Sequence, residues 1–165
     1  MKKDTEQLAL FAIGRQDVSV SFDGEQATSD AGAVLLQRVD ERLRLTERLA
    51  QAIRDPRCAL QVRHELQDLL RQRIFQIGQG WPDCNDADTL RRDPAFKLAC
   101  GRQPISGADL ASQPTLSRLE NAITPRDLDR LSLVLLEVTL AKRKKVAKRR
   151  RSIVIDFDAT DAQTH

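Results

Sequence analysis

The stretch that decides the fold runs from residue 60 to residue 80 and reads LQVRHELQDLLRQRIFQIGQG. Its apolar side chains recur every three to four residues, which is the spacing that lines one face of a helix. Asp55-Pro56 offers a capping residue before a proline at the favoured first helical position, and Gly78 offers a helix-ending residue. The pattern predicts the longest helix of a helical domain, beginning near Pro56 and closing at Gly78.

Further helical patterns lie on both sides of this stretch. Ser29-Asp30 offers N-cap chemistry before an apolar pattern that predicts a helix over about residues 31–43. A second helix is expected from Thr46. Further starts are expected on the C-terminal side at Asp86, at Asp93-Pro94, at Ser106, at Ser112-Gln113-Pro114 and at Thr124-Pro125.

Two short stretches have the composition of strands. Residues 18–22 alternate between apolar and polar side chains, and residues 153–158 are β-branched and aromatic. A two-stranded sheet is marginal on its own. Either the two strands pair over the helices, or residues 153–158 form the first strand of a further sheet in a longer protein. The predicted fold class is therefore mainly α, with one short N-terminal strand.

The charge of the chain is unevenly distributed. The 165 residues carry 27 Lys+Arg and 24 Asp+Glu, a net charge of +3. Eight of the basic residues fall within residues 142–151, so the remainder has 19 basic against 24 acidic residues, a net charge of −5. These eight are Lys142, Arg143, Lys144, Lys145, Lys148, Arg149, Arg150 and Arg151.

Composition excludes several classes of protein. A hydrophobic content of 41% is too high for a disordered chain, and no uninterrupted apolar window reaches the roughly 20 residues of a membrane span. The three cysteines and two histidines lack zinc-type spacing, and the N terminus has no secretory signal pattern. We therefore expect a folded protein of the reducing cytosol that does not associate with a membrane.

Two acids in the C-terminal stretch are candidates for chemistry. Successive strand residues face opposite sides, so Asp156 and Asp158 share a face about 6.6 Å apart along the strand. Carboxylates in an apolar segment are costly to bury unless they are paired or bind a cation. One interpretation is a site for Mg²⁺ or Mn²⁺. The other is that both acids are solvated residues at a strand end.

A second candidate is the segment from Ser106 to Asn121. Two short helices are expected to meet at Ser112-Gln113, and on the second of them Ser117, Arg118 and Asn121 would project outward. That arrangement resembles a helix-turn-helix, with side chains suited to phosphates and base edges. A plain helical hairpin with a polar turn would give the same pattern, and both interpretations stay open.

The basic stretch at residues 142–151 is the third candidate. It contains no aromatic residue, whereas single-strand recognition usually adds stacking rings to a charged groove. The stretch is therefore typical of a surface that contacts backbone phosphates. A solvated helix end, whose positive side chains suit the helix dipole, or a linker between domains would have the same composition.

Several of these segments resemble a known family. Residues 90–96 (LRRDPAF), 110–121 (LASQPTLSRLEN) and 155–161 (IDFDATD) closely resemble the N-terminal part of bacterial insertion-sequence transposases of the DDE type. Residues 29–32 (SDAG) and 69–75 (LLRQRIF) also resemble that family. Three separate motifs occur in the family's order.

The resemblance implies a site and a domain organisation. It implies that residues 152–165 begin a ribonuclease H-like α/β domain, truncated in this chain, in which Asp158 is the first catalytic and metal-binding acid and Asp156 the alternative. It places the helical domain at residues 17–141, after a mobile stretch at 1–16 and before a basic connector at 142–151. In the full-length family, Mg²⁺ or Mn²⁺ would support DNA cleavage and strand transfer.

The resemblance also implies partners and leaves alternatives. Double-stranded DNA at the element ends is the expected partner, a homodimer is possible, and the location is the bacterial cytoplasm, in association with the nucleoid. We expect the other two acids beyond His165, so this chain would be catalytically inactive alone and would hold no metal stably. The rival hypotheses are a stand-alone helix-turn-helix DNA-binding regulator and a complete metal-dependent nuclease.

Overall fold

The structure is a computed structural model that describes residues 8–13, 16–20, 28, 30–58, 60 and 62–146. Within those ranges the chain forms an N-terminal pair of strands followed by helices. The predicted mainly α class is confirmed. The strands are β1 Leu8–Ile13 and β2 Gln16–Val20, and the helices are α1 Ala33–Leu43, α2 Leu45–Ala52, α3 Leu66–Gly78, α4 Ala87–Leu90, α5 Pro94–Ala99, α6 Gln113–Ala122 and α7 Pro125–Val146.

The N-terminal strands form an antiparallel hairpin. Leu8 pairs with Val20 and Ile13 with Gln16, with one irregularity between Ala9 and Phe11. The single strand predicted at residues 18–22 is thus the second of two, and its partner lies in the stretch expected to be mobile. The Arg38 guanidinium of α1 lies 5.6 Å from the centre of the Phe11 ring. That contact ties the hairpin to the helices, as a sheet of two strands requires.

A buried aspartate joins the first three helices. Arg44 adopts a left-handed conformation with φ of 50° and separates α1 from α2. Asp40 accepts hydrogen bonds from the Thr46 backbone N–H at 2.8 Å and from the Thr46 hydroxyl at 2.6 Å. Arg71 of α3 completes the cluster at 3.3 Å from the same carboxylate. The charge of Asp40 is therefore buried with a cation and two further donors.

The prediction that α3 begins near Pro56 is wrong, because the helix begins at Leu66. Asp55 does not cap a helix. It accepts a hydrogen bond from the Arg57 backbone N–H at 3.0 Å and pairs with the Arg57 guanidinium at 2.7 Å. Arg57 also donates to the His64 carbonyl at 2.9 Å, so one side chain holds both ends of a loop. Leu60 was expected on the apolar face of this helix, but it lies in the loop and its side chain is 97% exposed.

The helix predicted to start at Ser106 is also absent, since residues 101–112 contain only turns and extended chain. A turn closes from Gln103 to Gly107, where a Cβ would lie 2.4 Å from the Gln103 carbonyl oxygen. Lys97, which is buried, donates to the Gly107 carbonyl at 2.6 Å. The two-helix motif expected around Ser112-Gln113 therefore lacks its first helix.

Two apolar clusters meet on α3. Phe75 contributes to the first cluster and Leu69 to the second. The first contains Ala33, Phe75, Leu90, Phe96, Ala99, Cys100 and Leu110, and the second contains Leu69, Ala87, Ala111 and Leu116. Burial raises the pKa of Cys100 to about 12, so its thiol stays protonated in the core.

The longest described helix is α7, with 22 residues, and not α3, with 13. It packs on α2, and Arg48 of α2 lies 3.2 Å from Glu137. Several of its leucines remain about half exposed, among them Leu128, Leu133, Leu135, Leu136 and Leu140. Neither α7 nor any other helix in the described ranges has the length and apolarity that a bilayer crossing demands.

Candidate nucleic-acid interface

A cavity of about 460 Å³ lies between the loop before α3 and the helix α6. Charged side chains of both signs line it, together with an apolar surface. Its charged and polar residues include Asp55, Arg57, Arg63, His64, Arg91, Asp109, Ser112, Thr115 and Arg118, and its apolar residues include Pro56, Leu69, Leu110, Leu119 and Ala122.

The two aspartates of the lining are each held by arginine. The Arg57 side chain binds Asp55 and lowers the pKa of that carboxyl below its usual value. Asp109 lies 2.9 Å from Arg91 and 3.3 Å from Arg92, and these bonds, the one to Arg91 foremost, lower its pKa as well. Both carboxylates are therefore ionised and neutralised near pH 7.

The remaining charge of the lining is positive. Four arginines face two aspartates, an excess of two positive charges. In the part of the chain that the structure describes, no carboxylate pairs with Arg63 or Arg118, and both side chains are exposed. The cavity therefore presents two guanidinium groups that are free to bind an anion.

A buried glutamine fixes the wall of the cavity at α6. Gln72 of α3 donates to the Ala111 carbonyl at 2.8 Å and accepts from the Ala111 N–H at 2.9 Å. This pair holds the extended segment that leads into α6. Asp88 accepts a hydrogen bond from the Gln113 N–H at 3.2 Å, which satisfies a donor at the helix start.

The residues predicted to project from α6 have different environments. Arg118 is exposed at the cavity, and Asn121 is exposed further along the helix. Ser117 is half-buried and accepts a hydrogen bond from the Gln113 side chain at 3.0 Å. Glu120, a poor neighbour for DNA, is paired with Arg73 and accepts from the Cys84 thiol. Its charge is thus compensated within the domain.

His64 lies in the loop before α3 and lines the cavity, although the sequence pattern predicts that it lies within the helix. Burial is the main cause that lowers its pKa below 6.5, and the nearby guanidinium of Arg63 acts in the same direction. The imidazole is therefore neutral near pH 7, and the positive charge of the cavity comes from arginine alone.

The other predicted site residues lie at or beyond the end of the described chain. Lys142, Arg143, Lys144 and Lys145 fall in the last turns of α7, whose backbone is helical there. Lys148, Arg149, Arg150 and Arg151 lie outside the described residues, as do both candidate acids, Asp156 and Asp158. Their roles stay predictions.

The sequence interpretation identified Arg118 but missed the other arginines of the cavity. Arg57, Arg63 and Arg91 are spread over 35 positions and form no motif. The one local signal was Asp55-Pro56-Arg57, in which an Asp two residues before an Arg can close a side-chain turn.

These features define a mainly α domain with an arginine-lined cavity, joined through its last helix to a basic stretch. A family model described as "Transposase DDE domain group 1" matches residues 11–165, which is most of the chain. The chain belongs to this DDE transposase family, whose general function is transposition and whose partner is DNA. Comparisons with curated proteins and with solved structures found no match.

Transposases of this family generally use a divalent metal ion. Within the described ranges, no group of three or more His, Cys, Asp or Glu side chains lies close enough together to hold one. The described residues therefore do not fit a metal site by themselves. The ligand implied by the resemblance, Asp158, lies outside them.

Proposed function

We propose that this chain supplies the DNA-binding N-terminal part of a DDE transposase and holds the double-stranded ends of the element. The family match gives the general function. The observation that carries the DNA-binding role is the cavity whose arginines outnumber its carboxylates, with Arg118 of α6 at its edge. With DNA as its substrate, the protein would act in the bacterial cytoplasm, in association with the nucleoid.

The basic stretch at residues 142–151 is the second part of this proposal. It adds eight positive charges to a chain that is otherwise acidic. Contacts between lysine or arginine and phosphates release counterions, so they contribute affinity that falls as salt rises. We assign residues 142–151 to the DNA backbone, and Ser117, Arg118 and Asn121 to contacts made from α6.

The catalytic part of the proposal rests on the family and the C-terminal motif. Asp158, or Asp156 on the same face of a ribonuclease H-like strand, would hold Mg²⁺ or Mn²⁺ for cleavage and strand transfer. Such a site needs further carboxylates, and the resemblance assigns only Asp158 or Asp156 among the residues of this sequence. We therefore propose that the 165 residues bind DNA without cleaving it, and Mg²⁺-dependent nicking lost in Asp158→Ala would contradict this.

Fluorescence anisotropy with labelled duplex DNA tests the binding role. We expect binding at low salt that weakens steeply as salt rises. Reversal of three charges in Arg149→Glu/Arg150→Glu/Arg151→Glu should weaken binding at least tenfold. The matched control, Lys2→Glu/Lys3→Glu/Arg15→Glu, changes net charge equally outside the basic stretch. Equal losses in the two variants, or no duplex binding by the natural chain, would refute the proposal.

We also propose that the chain forms a homodimer through α7. Leu133, Leu136 and Leu140 recur at the spacing of one helix face, form a stripe along α7 and are 59%, 53% and 45% exposed. An antiparallel pair of α7 helices would bury both stripes. It would also set the start of each helix, where the helix dipole is positive, against the end of the other, where the dipole is negative.

A further inference from the structure

We propose that the cavity beside α6 receives one nucleotide from the end of a DNA strand, with its phosphate bound by Arg63 and Arg118. The proposal deepens the DNA-binding role proposed above and rests on it. The proposal assigns a class of ligand to the cavity: a phosphate attached to a compact and largely apolar group. The sequence contains no motif that predicts this cavity.

The charges of the cavity support a single anion. Arg57 is committed to Asp55 and the His64 carbonyl, and Arg91 is committed to Asp109. Of the four arginines that line the cavity, Arg63 and Arg118 are thus left without a carboxylate partner in the described residues. Phosphate is an anion well matched to the guanidinium group, because its oxygens accept two parallel charge-assisted hydrogen bonds from one arginine.

The size and surface of the cavity support a nucleotide rather than a bare phosphate or a duplex. A volume of about 460 Å³ lies within the ~300–1,000 Å³ range of small-molecule sites. That volume exceeds what a bare phosphate fills and is too small for a base pair with both backbones. Pro56 and Leu119 supply aliphatic surface against which a sugar and base can pack.

The walls of the cavity are fixed before any ligand binds. Arg57 ties the two ends of the loop that carries Arg63, and Gln72 clamps the segment that leads to Arg118 on α6. The ordering cost on binding therefore falls mainly on the exposed side chains of Arg63 and Arg118. No Phe, Tyr or Trp side chain is among the described residues that line the cavity, and the aromatic ring that it does contain is the small imidazole of His64. The nucleotide would therefore be held mainly by its phosphate and without strong preference for a base.

The experiment compares two duplexes, one blunt and one with a short single-stranded end, by fluorescence anisotropy. The natural chain should bind the second duplex more tightly. Arg63→Ala/Arg118→Ala should weaken that binding about tenfold or more and remove the preference. It should also lower the slope of log affinity against log salt by about 1. The control Arg42→Ala/Arg126→Ala removes two exposed arginines outside the cavity and should preserve the preference.

Three outcomes separate this inference from the proposed function. Binding to both duplexes with equal loss in the cavity and control variants overturns the cavity assignment and leaves the DNA-binding role standing. Absence of binding to either duplex overturns the proposed function. A third arm uses deoxyadenosine monophosphate alone: if it binds through Arg63 and Arg118 while the duplexes do not compete, the source is a free nucleotide and the assignment to a DNA strand is wrong.

Discussion

Gln72 illustrates how one buried side chain can position a surface that it does not reach. Its amide satisfies both the N–H and the carbonyl of Ala111 in the core. Gln72→Leu keeps a similar volume but leaves two buried backbone groups unpaired, at about 1–3 kcal/mol each. We expect urea denaturation to show a loss of about 2–6 kcal/mol in unfolding free energy.

The control for this substitution lies on the same helix. Gln67 is half-buried on α3, and its side chain makes no hydrogen bond within the described residues. Gln67→Leu should change the unfolding free energy by no more than about 0.5 kcal/mol. Similar losses in the two variants would mean that the Gln72 clamp contributes no specific stability.

His64 gives the domain a pH dependence with a defined sign. Its folded-state pKa lies below 6.5 because of burial and nearby Arg63, so the unfolded chain takes up a proton at higher pH than the folded one. Its stabilising contribution is therefore present above pH 6.5 and is lost as pH falls toward the lowered pKa. Thermal unfolding at pH 7.5 and 5.5 should show a smaller acid-induced loss for His64→Gln than for the natural chain. His165→Gln should behave like the natural chain.

At the scale of elements, two identical dipeptides show what the sequence could and could not predict. Asp93-Pro94 begins a helix as predicted, because Asp93 accepts from the Phe96 N–H at 2.8 Å. Asp55-Pro56 has the same capping signature, but Arg57 captures the carboxylate two residues later and closes a turn. Local patterns therefore predicted that helices exist, while a competing side chain decided where α3 begins.

The same limit applies to the cavity. Arg118 could be identified from the sequence, because the helical repeat of the apolar residues in α6 predicts that position 118 points away from the core. Arg63 and Arg91 reach the cavity only through the loop geometry and the packing of α4, which depend on contacts between residues far apart in the chain. A single sequence carries no signal for such contacts, and a site assembled from them becomes visible only in the structure.

The long helix α7 carries the prediction about self-association. Its residues 128–140 are apolar around most of the circumference, which is typical of a helix covered on more than one side. Leu133→Gln/Leu136→Gln/Leu140→Gln should weaken a dimer by roughly tenfold per residue in sedimentation equilibrium. Leu35→Gln/Val39→Gln, exposed on α1, is the control and should leave association unchanged. A monomeric natural chain at high concentration would contradict the dimer.

At the scale of the whole molecule, the distribution of charge reconciles an acidic body with a DNA partner. Outside residues 142–151 the net charge is −5, yet carboxylates near the cavity are compensated locally. Asp55, Asp109 and Glu120 each pair with an arginine. Net charge therefore understates the attraction of this face for phosphate, because a field at short range depends on the nearest uncompensated charges.

The two apolar clusters also make a prediction about cooperativity. Both contain side chains of α3, so we expect the helical domain to unfold as one unit. Trp81, the only tryptophan of the sequence, follows α3, donates to Asp30 at 2.7 Å and belongs to neither cluster, so its fluorescence is a probe outside the Leu116 cluster. Leu116→Ala empties a fully buried site and should cost about 2–5 kcal/mol.

The measurement is urea denaturation followed by Trp81 fluorescence and by far-ultraviolet circular dichroism. One cooperative unit requires that the two signals change together in the natural chain, and that Leu116→Ala moves both midpoints by the same amount. Leu35→Ala removes an exposed leucine of α1, outside both clusters and the proposed dimer stripe, and should shift neither midpoint appreciably. If Leu116→Ala shifts the dichroism midpoint alone, the clusters unfold separately. The cavity would then lie at a junction between two units, since Leu69 and Leu110 of its lining belong to different clusters.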